Sequence, residues 1–178
     1  MVLAVSCLTF IGGAYLLLLT QSSTLPALPV PGFRQPVISI PDDTNHVEIA
    51  KIGVNTAIVT GNAGALEKGA WHRFPERGDP EKGGNFILSA HRFQLGLTPE
   101  GTRSRSPFYK LDKLVVGDEI VVVYNKNRYT YQVTKTYDVP RTAVEIEAPS
   151  ETAKLTLYSC NIRGEAAGRI VVEAELKQ

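Results

Sequence analysis

The sequence predicts a mostly β fold, a closed or nearly closed barrel with short helices, preceded by one N-terminal transmembrane helix. Three observations predict it. Short alternating or β-branched runs recur between Gly, Asn and Pro turn signals from residue 47 to 176, few segments show a helical period, and residues 2–19 carry no charge.

Residues 1–20 read as a membrane anchor. The uncharged run 2–19 is rich in Leu, Val, Ala, Phe and Ile, and as a helix it measures about 27 Å, nearly the thickness of a bilayer core. A cleaved signal peptide is the competing reading. It expects a shorter apolar region, a basic start and a small-residue cleavage site, none of which is clear here. Residues 21–45 carry Ser22, Ser23 and Thr24 followed by Pro26, Pro29, Pro31 and Pro36. Such a segment builds no core and favours extended backbone, so it reads as a stalk. Residues 46–178 form the folded domain.

Within that domain the strands come in order. Val47-Glu48-Ile49-Ala50-Lys51-Ile52 alternates, Thr56-Ala57-Ile58-Val59 is β-branched, and Asn85-Phe86-Ile87-Leu88 follows the turn signal Gly83-Gly84. Glu119 to Tyr124 and Arg128 to Val133 flank Asn125-Lys126-Asn127 as a hairpin, and Leu155 to Ser159 with Ile170 to Leu176 close the chain. Helix is expected only near residues 64–68 and 106–111, the latter with Ser106 as cap and Pro107 as first residue.

Composition narrows the function classes. The chain has 178 residues, 43% of them hydrophobic and 21% charged, which suits one domain with a packed core and excludes disorder. Its 19 basic and 18 acidic residues give a net charge of +1, so no nucleic-acid footprint is present.

The chemistry then falls on few residues. Of the two cysteines, Cys7 lies in the apolar segment and cannot pair with Cys160, which ends the run Lys154-Leu155-Thr156-Leu157-Tyr158-Ser159. Cys160 reads as a nucleophile, against the plainer reading of a buried thiol. His91 ends another apolar run and reads either as structural or as the base a thiol needs to become a thiolate. Arg169 offers a fixed charge and several N–H donors for an oxyanion, with Arg163 and Arg92 as rivals that spacing alone does not separate.

The run Thr156-Leu157-Tyr158-Ser159-Cys160, then Arg169-Ile170-Val171-Val172, resembles the sortase signature T-L-x-T-C followed by R-x-x-V. Ser89-Ala90-His91-Arg92 resembles the family's histidine segment. Lys51-Ile52-Gly53-Val54, Gly83-Gly84-Asn85 and the stretch from Pro107-Phe108 through Leu114 to Gly117-Asp118 extend the likeness over residues 47–176. No one piece is specific, but their order and spacing are.

The resemblance implies a sortase-like barrel of about eight strands and a membrane-anchored cysteine transpeptidase, with its catalytic domain outside the cell on a single-pass anchor. It implies that Cys160 attacks a sorting-signal peptide of the LPXTG-like type, that His91 is general acid and base, and that Arg169 stabilises the oxyanion or holds the substrate. The partners it implies are that peptide and an amine acceptor, either a cell-wall precursor or a pilin lysine, besides the membrane lipid. Ser159 stands where many members have Thr, and Ala90 where Gly often precedes the histidine. Both are assigned to the substrate site. So are Val139, Pro140, Val144 and Ile146, in a segment that reads equally as an apolar groove or as a surface loop. The end at Gln178, with only Asp79-Pro80-Glu81 near a lid motif, favours a wall-anchoring over a pilin-polymerising type.

No cofactor is expected. Calcium activation, known in some members, has only Glu145 and Glu147 to draw on, against a requirement of roughly 6 to 8 oxygen ligands. Zinc on His46, His72, His91 and Cys160 lacks the close pairs such motifs use. A non-catalytic, membrane-tethered barrel that binds wall polymer or peptide is the alternative reading.

Overall fold

Alternation along each strand sorts the side chains into an interior and an exterior set, and the interior set closes on itself. The computed structural model of the chain describes residues 40–177 other than 42, 162 and 164. The expected anchor and most of the stalk lie outside the described residues. No helix among the described residues is long and apolar enough to cross a membrane.

Nine strands form among the described residues: β1 (His46–Ile49), β2 (Val54–Val59), β3 (Ala70–Arg73), β4 (Gly78–Asp79), β5 (Gly83–Ser89), β6 (Glu119–Tyr124), β7 (Asn127–Val139), β8 (Lys154–Cys160) and β9 (Arg169–Leu176). They are ordered β3-β2-β1-β6-β7-β9-β8-β5-β4, and β3 also pairs with β5. That pairing closes an eight-stranded barrel and leaves the two-residue β4 as an appendage. Closure removes the unpaired edges that an open sheet would expose. Val47, Ile49, Phe86, Leu88, Ile120, Val122, Leu155, Leu157 and Val172 fill the interior.

The strand expected from Val47 to Ile52 stops at Ile49. Residues Ala50–Ile52 wind into a 3₁₀ turn that ends on Gly53 at φ 69°, a left-handed position that favours glycine. The hairpin turn is tighter than expected. Tyr124 pairs with Asn127, and Asn125 and Lys126 alone make the turn, at φ 49° and 67°. A 3₁₀ turn at Ala63–Glu67 meets the first helix expectation. The second shifts to a 3₁₀ turn at Leu111–Lys113, and the one α-helix among the described residues, α1, is Pro99–Ser104, with Thr98 accepting from the Gly101 amide as its cap. Ser106 caps nothing, because its hydroxyl is engaged with the Gln94 backbone.

A bulge in β7 matters for the site. Val133 pairs with Ala174 but Lys135 pairs with Glu173, so one residue of β7 is skipped and its alternation inverts. Tyr131 and Val133 therefore face the interior, whereas Tyr137 and Val139 join an exterior cluster around Ile87, Ile146, Tyr158 and Val171.

Candidate active site

Three neighbouring strands end together at one rim of the barrel. β5 and β8 run parallel with Ser89 opposite Tyr158, and β8 and β9 run antiparallel with Cys160 opposite Arg169. His91 and Cys160 each stand two residues beyond the Ser89–Tyr158 pair. Adjacent strands lie about 5 Å apart, so the thiol has the histidine chain on one side and the arginine on the other.

Alternation gives the direction of each side chain. Ile87, Tyr158 and Val171 lie in the exterior cluster, and His91, Cys160 and Arg169 share their respective parities. Cys160 is an exposed free thiol, while His91 and Arg169 are half-buried. Such a thiol is reachable by a substrate, unlike the buried thiol of the plainer reading.

Each flanking group is held by something further. The Arg169 guanidinium lies 5.1 Å from the centre of the Tyr158 ring, over its face. His91 Nε2 is 2.9 Å from Glu67 Oε1, at the end of the Ala63–Glu67 turn. The backbone before the histidine is tied to the cysteine strand twice: the Ala90 amide donates to the Tyr158 carbonyl at 3.4 Å, and the Ser159 hydroxyl donates to the Ala90 carbonyl at 2.7 Å. Gly168 sits at φ 96°, where a Cβ would come within 2.3 Å of the Val139 carbonyl oxygen. Glycine is required there if β7 and β9 are to meet at Arg169.

A buried ionic network lies beneath this rim. Tyr158 donates its hydroxyl proton to Glu147, and Arg73 Nη1 donates to the same phenol oxygen at 2.9 Å and reaches Glu147 Oε1 at 3.2 Å. Arg77 donates to the Glu147 carbonyl, and Asn85 donates to the carbonyls of Ile146 and Ala148 at 3.3 and 2.7 Å. The 3₁₀ turn Glu145–Glu147, in the connection from β7 to β8, is thus fastened to the barrel wall. Burial, followed by the Glu147 hydrogen bond and charge, raises the Tyr158 phenol far above its ordinary value and keeps it a donor.

The residues assigned to a substrate site separate into groups. Ala90 and Ser159 are buried and bonded to one another, so they join the two strands instead of lining a groove. Val139 is the last residue of β7, opposite Arg169, and packs on the exterior cluster with the buried Ile146. Pro140 and Val144 are exposed on the connection that follows. Of the rival arginines, Arg92 is buried on Asp112 at 2.8 Å and Arg163 is exposed beyond the strand end.

The two carboxylates considered for calcium, Glu145 and Glu147, do not make a site between them. Glu147 is taken by Arg73 and Tyr158, leaving Glu145 exposed without a companion carboxylate from its turn. His46 and His72 are occupied elsewhere, on Thr44 and Glu48 and on the Gly78 carbonyl. An open concavity of about 470 Å³ lined by Asp43, Asn45, Ile58, Asn125 and Lys126 lies at the β6–β7 hairpin and holds none of these groups.

Sequence reasoning missed Glu67 and Arg73. Asn62 two residues before Gly64 was the available signal for a capped turn ending near Glu67, but nothing in the sequence ties that turn to a histidine 24 residues later.

The fold and the rim together define a closed eight-stranded β-barrel protein that carries one exposed cysteine between a histidine strand and an arginine strand. The comparisons specify it further: the sortase-domain family profile matches residues 47–177, and the chain belongs to the sortase family. Among solved structures, a Clostridium perfringens sortase D5 transpeptidase is 25% identical, with 76% of this chain and 79% of that one covered and a TM-score of 0.63. Listeria monocytogenes sortase A shares 24% identity over 78% and 89% of the two chains, with a TM-score of 0.64. Sortase C1 from Streptococcus agalactiae shares 26% over 79% and 70%, with a TM-score of 0.58. None of the curated proteins matches the chain.

Proposed function

We propose that this sortase cleaves a sorting-signal peptide of the Leu-Pro-x-Thr-Gly type through a thioacyl intermediate on Cys160 and passes the acyl group to an amine on the cell surface. The reading rests on the register that sets Cys160 opposite Arg169 and beside the strand that leads to His91. The Cys160 thiolate adds to the scissile carbonyl carbon, and the carbonyl electron pair moves onto oxygen. Arg169 N–H groups stabilise that oxyanion. As the C–N bond breaks, His91 gives its proton to the departing amine, and it later takes one from the incoming amine.

Val139 and Ile146 form the apolar floor of the peptide groove, and the exposed Pro140 and Val144 contact the Leu-Pro part of the signal. The acceptor is a cell-wall precursor amine or a pilin lysine. Residues 2–19 cross the membrane once and hold the domain outside the cell, and the chemistry uses neither a metal nor an organic cofactor.

The test is to incubate the soluble domain, parent and Cys160→Ala, with a peptide library of this type and an amine acceptor, and to follow the products by mass spectrometry. The expected result is a thioacyl adduct on Cys160 and a ligated amide, both absent in the variant. No adduct with any peptide, although the thiol is free, sinks the assignment; ligand binding and phenotype untouched in Cys160→Ala would favour the non-catalytic module.

A further inference from the structure

We propose that Glu67 is a positioning residue that fixes which nitrogen of His91 moves protons; this rests on the catalytic reading of His91 given above. The His91 ring makes one hydrogen bond among the described residues, from Nε2 to Glu67 Oε1 at 2.9 Å. An ionised carboxylate only accepts, so the neutral ring facing it carries its proton on Nε2. Nδ1 is then the nitrogen with an open lone pair, and it performs every transfer.

The carboxylate is well placed for this because its carrier is fixed. The Ala63–Glu67 turn starts on Asn62, whose side chain accepts from the Gly64 amide at 3.0 Å, and it buries Ala65. The Trp71 indole donates to the Gly61 carbonyl at 2.9 Å and ties the start of this connection to β3. β3 in turn pairs with β5, with Trp71 opposite Ser89, two residues before the histidine. The turn that carries the acid therefore leads into β3, which shares a ladder with the strand that leads to the base.

The proton balance follows. Nδ1 accepts the thiol proton as Cys160 becomes a thiolate, while Nε2–H stays on Glu67. Nδ1 then gives that proton to the amine nitrogen as the C–N bond breaks, and it takes one back when the incoming amine attacks the thioester and expels the Cys160 thiolate. Glu67 never gains or loses a proton; it keeps the ring in one orientation and one tautomer, as the third member of a nucleophile, base and orienting group. Because Glu67 is half or more exposed, its hold is that of a surface pair, and the fold-change expected from losing it is at most about fivefold.

The test uses the domain of residues 40–178 and the full chain with ¹⁵N-labelled histidine. Ring nitrogen shifts report the tautomer, and transpeptidation kinetics report the consequence. The parent is expected to show Nε2 protonated and Nδ1 bare. Glu67→Lys offers only a donor at that place, so the proton should move to Nδ1, with kcat for the peptide down about threefold to fivefold and KM unchanged. Glu67→Gln keeps an accepting oxygen and should recover most of kcat.

If Glu67→Lys leaves the ring shifts and kcat unchanged, Glu67 is an ordinary surface partner and the proposal is wrong. A rise in KM with kcat intact would assign it to substrate binding and overturn it as well. A parent chain that forms no thioacyl adduct removes the catalytic part together with the proposed function, whereas a tautomer that does not respond to Glu67→Lys in an active enzyme removes the positioning role alone.

Discussion

Removing the Glu147 carboxylate by Glu147→Ala should lower stability by an amount the structure allows to be worked out. Breaking a fully buried pair by deleting one partner costs about 3–5 kcal/mol, because the other charge is stranded. Arg73 has 24% of its side chain exposed and rehydrates in part, which reduces that figure. The Tyr158 hydroxyl also loses its acceptor, at a cost of about 1–3 kcal/mol for a buried donor. A net loss of about 2–4 kcal/mol follows, or a melting temperature lower by on the order of 10 °C for a domain of this size. Tyr158→Phe removes the hydroxyl but keeps the ion pair, so it should cost only about 1 kcal/mol. Thermal unfolding followed by circular dichroism gives both numbers, and hydrogen exchange should show residues 140–153 losing protection in Glu147→Ala. A Glu147→Ala melting point within about 2 °C of the parent, or a larger loss in Tyr158→Phe, would refute the idea that this network fastens the connection.

Arg169→Lys keeps the charge but loses the planar fork. The rate of thioacyl formation should fall about 10- to 100-fold with the melting temperature unchanged, and equal rates would show that the fork is not aimed at the oxyanion. Acid should destabilise the fold in two stages. Burial holds His72 below the ordinary 6.5, so the unfolded chain binds that proton first and stability drops as the pH falls below 6.5. Burial would raise the Asp79 carboxyl, but the Lys82 and Glu81 amides and the Lys82 ammonium outweigh it and hold it low. Its contribution is therefore present above about pH 4, the unfolded carboxyl range, and lost as the pH falls through the folded value. Melting temperatures from pH 7 to 3 test both, and Asp79→Asn should flatten the lower stage. With Glu147 already occupied, chelation with EDTA or addition of millimolar calcium should change turnover less than about twofold, and a larger response would point to carboxylates other than Glu145 and Glu147.

The barrel was legible because most strands alternate β-branched and aromatic residues with polar ones, and an interior and an exterior are the only two places to put them. β3 escaped notice for the opposite reason. Its inward positions are Ala70 and His72, one small and one polar, so Ala70-Trp71-His72-Arg73 shows no apolar stripe although both are buried. α1 was marked by Thr98 and Pro99, the same cap signal credited instead to Ser106 and Pro107. The residues of the rim could be found from motif order, but which side of the strand each faces could not be assigned to Ala90 and Ser159 without the register. Val139 needed the β7 bulge, a one-residue event that no alternation count reveals.

Tyr158 is shared property. Its ring supports the Arg169 guanidinium and its hydroxyl holds Glu147, so the wall of the proposed peptide groove and the proposed oxyanion donor lean on one side chain. An engineer who retunes peptide choice at Glu147 or Ile146 will move the arginine too, and selection for a new signal there will be paid in rate. Substitutions at Val144 or Pro140, which are exposed on the connection, leave the two traits free to evolve apart.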